Sequence, residues 1–127
     1  MTTETASTPD LSPETLSRFT GSESWYRHGL VRDILYTDGA KHIADNAEAY
    51  WLLDEIAIAQ RFEDAVKREE FQVWKLEVDL KKSTGELTCW DGDGRIVYSK
   101  TLTFTDFPVT RIELWVENNT IYLPSER

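Results

Sequence analysis

Apolar side chains in this chain recur every three to four residues up to about position 70, and every second residue after it. A helix repeats its face every 3.6 residues or so and a strand every two, so the change of period predicts helices first and strands afterwards. From Phe71 to Leu80 the alternation sets Trp74, Leu76, Val78 and Leu80 against Lys75, Glu77 and Asp79, the pattern of a half-buried strand. Further strands are expected at Glu86 to Trp90, Arg95 to Leu102, Val109 to Glu117 and Thr120 to Leu123. Turns are expected at Ser83-Thr84-Gly85, at Asp91-Gly92-Asp93-Gly94 and at Asn118-Asn119, with a longer connection around Pro108.

The first half carries the helical signal. Ala40 to about Arg61 has no proline or interior glycine and is rich in Ala, Leu, Glu and Ile, which predicts one long helix. Its apolar stripe changes side, because Ala40, Ile43, Ala47 and Tyr50 share one face whereas Ala49, Leu52, Leu53 and Ile56 share another. Either the helix bends or breaks near Glu48, or it lies inside the fold covered on both sides. Ser12-Pro13-Glu14 is a helix start, with Leu16 and Phe19 on its apolar side and Gly21 placed to end it. Between Gly21 and Gly39 neither period is clean. The spacings Leu30/Ile34 and Val31/Leu35 favour one or two helical turns, and Thr37-Asp38-Gly39 reads as a turn whose Asp38 caps the next helix.

The expected fold class is therefore α+β: N-terminal helices, one of them long, packed on a C-terminal antiparallel meander of about five strands. Residues 1–11, mostly Thr, Ser, Glu and Ala, read as a disordered tail, and residues 12–127 as a single domain. Aromatic residues make up 12% of the chain, including five Trp and five Tyr, so a core is feasible without disulfides or a metal. Cys89 is the single cysteine and no secretory pattern opens the chain, which points to the cytoplasm. The longest apolar stretch is interrupted by Asp54 and Glu55, which excludes a membrane-spanning helix. A net charge of −9 with scattered Lys and Arg argues against direct nucleic-acid binding. Dispersed acid also admits a second reading, a mimic that occupies the basic groove of a nucleic-acid-binding protein.

Several residues carry candidate chemistry. Alternating Asp and Gly at Asp91 to Gly94 suggests a calcium loop, but Arg95-Ile96-Val97 follows where further oxygen ligands would be needed, so a hairpin is expected. His28 and His42 are the only histidines and lack the extra ligands of a zinc site; no cofactor or metal is expected. On a helix, His42 has Asp38 one turn before it and Asp45 three residues after it. Asp54 and Glu55 flank Trp51 and Ile58; if that side is buried the acids need partners, and if it is exposed they rim an apolar patch suited to a partner protein. Trp25-Tyr26-Arg27-His28 is either an interface anchor or an aromatic plug for the core. Cys89 is expected to be buried and inert.

The phrases Phe19-Thr20-Gly21-Ser22-Glu23, Trp25-Tyr26-Arg27-His28, Tyr36-Thr37-Asp38-Gly39, Ala49 to Ala57 and Leu114 to Pro124 resemble a family of small bacterial proteins known as a domain of unknown function. The resemblance covers nearly all of the chain after the tail and implies no assigned catalytic residue. Its members are similar to genes often found on plasmids, phages and other mobile elements, which implies a host-interaction or anti-defence role. The leading expectation is a non-enzymatic protein-binding or accessory domain that uses the sheet surface or the Trp25/Trp51 region as its contact, with self-association left open. The alternative is a small enzyme or ligand binder drawing on Tyr26, His28, Asp38, His42, Asp54 and Glu55; the third reading is the acidic mimic.

Overall fold

The computed structural model describes residues 10–127. The tail expected over 1–11 therefore falls largely outside the described residues, and Leu11 is already buried in the core. Among the described residues there are seven strands: β1 Trp25–Arg27, β2 Leu35–Thr37, β3 Phe71–Asp79, β4 Thr84–Trp90, β5 Ile96–Leu102, β6 Arg111–Glu117 and β7 Thr120–Tyr122. Four helices accompany them, α1 Pro13–Leu16, α2 Asp38–Asn46, α3 Tyr50–Phe62 and α4 Asp64–Lys67, and a 3-10 turn at Pro124–Glu126 closes the chain. All strands join one sheet in the order β1-β2-β7-β6-β3-β4-β5, antiparallel except where β2 runs parallel to β7.

The expected long helix on a five-stranded meander is thus corrected to short helices on a seven-stranded mixed sheet. One cause lies in residues 25–37, which form two short strands joined by a loop and not helical turns. His28 closes the loop between them by accepting the Leu30 and Val31 N–H groups on Nδ1, and its own N–H donates to Ile34 C=O at 2.8 Å. That side-chain-to-backbone arrangement competes with a helix and sets β1 against β2. A second cause is the break between α2 and α3, where Glu48 adopts a left-handed φ of 51°. Breaking there lets α2 bury Ala40, Ile43 and Ala44 while α3 buries Leu52, Leu53, Ile56, Ala57 and Ala59, so both apolar stripes reach the core.

The third cause is long-range. β3, β4 and β5 do form a meander, but the next connection carries the chain back so that β6 pairs with β3, Trp74 opposite Leu114. The return is fixed by main-chain bonds from Thr105 to Ser83 C=O and from Val78 to Thr110 C=O, with Phe107 buried beneath. Local turn signals carry no information about such a return. The alternation itself holds: Trp74, Leu76, Val78, Leu87, Cys89, Ile112, Leu114, Val116 and Ile121 share the core with the buried helix residues. Leu80 lies past the end of β3 and is half exposed. The helices consequently cover one face of the sheet.

Candidate functional site

The residues out of phase with the core occupy the opposite face, and aromatic side chains are concentrated there. The registers set Trp90 on β4 opposite Val73 on β3, Val73 opposite Trp115 on β6, and Trp115 opposite Tyr122 on β7. Beyond Tyr122, Thr37 on β2 stands opposite Trp25 on edge strand β1, and Trp25, Thr37 and Tyr122 line one shallow depression with Glu117 and Arg127. The result is a transverse stripe across six strands, about 24 Å long at the usual strand spacing. Phe71 joins it, edge-on to Trp115 at 5.1 Å, and Trp115 is edge-on to Tyr122 at 6.2 Å.

Cations lie on these rings. Lys75 Nζ sits 4.4 Å from the centre of the Trp90 ring, and the Arg127 guanidinium 4.7 Å from Phe71 and 5.7 Å from Trp115. Carboxylates anchor the stripe from the sides: Trp115 Nε1 donates to Glu113 at 2.7 Å and Tyr122 Oη to Glu117 at 3.0 Å. Burial, aided by that bond to Glu117, pushes the Tyr122 phenol up to about 12. Trp25 is 56% exposed and Trp90, Trp115 and Phe71 are half-buried, whereas Tyr122 and Thr37, which lie between Trp115 and Trp25, are buried. Amphipathic rings held rigid by cross-strand packing present area to a partner at small entropic cost.

The residues singled out by sequence are dispersed. Asp38 sits in the first turn of α2, where Thr37, not Asp38, is the N-cap. Its carboxylate accepts the Glu23 and Ser24 N–H groups and the Tyr26 hydroxyl, and these bonds, led by that from Glu23, hold it below the usual carboxylate range. Tyr26 stacks on Tyr36 at 5.6 Å. His28, just past the end of β1, is buried, and with Nδ1 accepting two main-chain donors its Nε2–H donates to Asp54 at 2.7 Å. Glu55 binds Lys100 on β5 at 2.6 Å, so both acids of α3 are partly covered and paired.

His42 does not gather Asp38 and Asp45. Its Nε2 meets the Asp10 carbonyl and its Nδ1 meets Asn46, while Asp45 holds Lys41 and Tyr50. Arg27 is exposed and donates to the Arg32 carbonyl. Trp51 packs edge-on against buried Phe107 in the helix layer, so it and Trp25 form no common patch. Cys89 is fully buried, and burial pushes its thiol up to about 12. Asp91 closes the β4–β5 hairpin by accepting the Asp93 and Arg95 N–H groups. Among the described residues, no three His, Cys, Asp or Glu side chains are grouped to hold a metal, and no helix is long and apolar enough to cross a membrane.

An apolar groove of about 740 Å³ lies between α1, the start of β6 and the C-terminal turn; none of the sequence-selected residues lines it. Sequence reasoning missed Phe71, Val73, Trp90, Trp115 and Tyr122 as a group. Their signal was present in β3, where Phe71 and Val73 fall on the side of the alternation otherwise occupied by Lys75 and Glu77.

Residues 10–127 match the family of unknown function DUF6876, and the chain belongs to that family. No curated protein and no solved structure matches it.

Proposed function

We propose that this member of the family is a non-enzymatic protein-binding domain, spanning residues 12–127, whose contact surface is the helix-free face of the sheet. The transverse stripe Trp90–Val73–Trp115–Tyr122, extended to Trp25, carries the reading. Tryptophan, tyrosine and arginine are the residues most enriched where binding energy concentrates, and here Arg127 and Lys75 lie on the rings themselves. The polar residues that an enzyme would need are engaged elsewhere: both His28 nitrogens and both Asp38 oxygens are bonded within the fold. Such bonds favour a structural role for them over proton transfer.

The test is affinity capture from the native host with tagged full-length chain. Trp25→Ala and Trp90→Ala, each checked for native circular dichroism, are expected to lose the captured protein, while Ile58→Ala on the exposed side of α3 retains it. Retention by both tryptophan variants with loss in the Ile58 variant would move the contact to the helix layer and end the proposal.

A further inference from the structure

β6 is seven residues long, but its neighbour β7 spans only three, so the two pair from Trp115 to Glu117 and no further. The ladder on the other side of β6 shows where its remaining main-chain groups point. One step beyond the Glu77/Arg111 pair, the Val78 N–H donates to the Thr110 carbonyl at 2.9 Å. Bonded pairs alternate along an antiparallel ladder, so Thr110, Ile112 and Leu114 turn their N–H and C=O toward β3. Arg111 and Glu113 turn theirs the opposite way. There the position facing Glu113 falls to Pro124, which has no N–H and opens the C-terminal 3-10 turn. Among the described residues, the main chain of Arg111 and Glu113 finds no main-chain partner on that side.

These open groups border the apolar groove beside α1, whose walls include Leu11, Leu16, Val109, Ile112 and Leu123. Ser125 Oγ ties the C-terminal turn to α1 by donating to the Leu16 carbonyl at 3.0 Å. Unpaired peptide groups next to apolar side chains call for a ligand that brings both a main chain and apolar groups, as an extended peptide does. We infer that the groove receives an extended segment of a partner protein, added antiparallel to β6 where β7 leaves off.

The register fixes the chemistry of that segment. Opposed residues share a face, so the residue opposite Ile112 points into the groove toward Leu11 and Leu16 and is apolar. The residues opposite Glu113 and Arg111 point to the helix-free side. A cation is favoured opposite Glu113, because Asp10 and Glu113 both line the groove and its one lining cation, Arg111, is bonded to Glu77 at 3.3 Å. Residues 1–9 of the chain itself have only Met1 as a large apolar residue and add an acid, Glu4, so their composition fits poorly.

Amide-resolved hydrogen exchange of the full chain provides the test, with acetyl-Lys-Val-Thr-Val-Lys-amide as the probe. Its first three residues are set opposite Glu113, Ile112 and Arg111. In the free chain the Arg111 and Glu113 amides are expected to exchange at least about tenfold faster than those of Ile112 and Leu114, which bond to β3. The probe at millimolar concentration is expected to slow both. N-methylating its first lysine and its threonine, whose N–H groups face β6, is expected to weaken binding at least about tenfold, whereas N-methylating the two valines leaves it within about twofold. Arg111 and Glu113 amides as slow as their neighbours in the free chain would mean that another part of the chain, such as residues 1–9, already fills the edge, and would overturn the inference. So would a probe that leaves both amides unchanged, or one indifferent to which amides are methylated. Trp90→Ala is expected to bind the probe as the native chain does, so failure of the stripe as a contact leaves this groove standing.

Discussion

Replacing Glu126 by alanine probes how the C-terminal turn holds the start of α2. The Glu126 carboxylate accepts the Thr37 hydroxyl at 2.6 Å, the Gly39 N–H at 3.1 Å and the Leu123 N–H at 2.8 Å. It thus satisfies donors at a helix N-terminus and bridges β2, α2 and the chain end. A hydrogen bond to a charged group contributes roughly 1.5–3 kcal/mol, but this carboxylate is half-buried and water partly replaces what is lost, so the variant should cost about 2–4 kcal/mol. For a chain of this size that is a fall in Tm of roughly 6–16 °C. Gly39 supplies a second handle. A Cβ there would lie 2.5 Å from Glu126 Oε1 and 2.6 Å from Leu123 Cδ1, so Gly39→Ala destabilises despite the better helix propensity of alanine. Removing the Glu126 side chain relieves part of that clash. Denaturant unfolding of the two single variants and the double variant should therefore show coupling on the order of 1 kcal/mol, with Gly39→Ala milder in the Glu126→Ala background. A Glu126→Ala cost below about 0.5 kcal/mol, or a Gly39→Ala cost identical in both backgrounds, would refute the bridging role.

Two further outcomes are expected. Cys89 has its thiol raised from 9.0 to about 12, so above pH 9 the unfolded chain loses that proton while the folded chain keeps it. Stability contributed by the protonated thiol is complete below pH 9 and is lost as pH rises toward about 12. Cys89→Ala should flatten the fall of the unfolding free energy from urea titrations in that window by about one proton's worth, near 1.4 kcal/mol per pH unit, and an unchanged slope would contradict the burial argument. Glu48 is exposed and held at a φ of 51°, so Glu48→Gly should stabilise the α2–α3 connection by about 0.5–1 kcal/mol in the same assay; a loss would mean the side chain itself stabilises the break.

What the sequence makes legible is local. Ser12 caps α1 by accepting the Thr15 N–H, Asp91 closes its hairpin, and Asn118 and Asn119 turn the chain at φ of 54° and 58°. The change of stripe at Glu48 correctly contains the helix break among its alternatives, because a rigid helix cannot turn two unrelated faces to one core. The parts not legible are those set by distant partners. Residues 25–27 and 35–37 are too short to show a period, and they become strands because β7 is there to extend the sheet. Gly21 lies beyond the end of α1, which closes at Leu16 with the Ser17 N–H bonded to Pro13.

The site divides the same way. Sequence reasoning offers the sheet surface or the Trp25/Trp51 region as the contact, whereas the stripe depends on register across five strand pairs, which no single segment encodes. The cluster of Tyr26, His28, Asp38, His42, Asp54 and Glu55 dissolves for a related reason. Tyr26 is tied to Asp38 and His28 to Asp54 as separate pairs, and the α2–α3 break separates His42 from the acids of α3.

Hydroxyl-radical footprinting of the captured complex measures, side chain by side chain, whether the helix-free face is the surface that a partner covers. Trp25, Trp90 and Trp115 should lose oxidation on binding, Trp51 should be unchanged, and Trp74, buried in both states, should stay unreactive. Protection of Trp51 with the three face tryptophans still oxidised would contradict it.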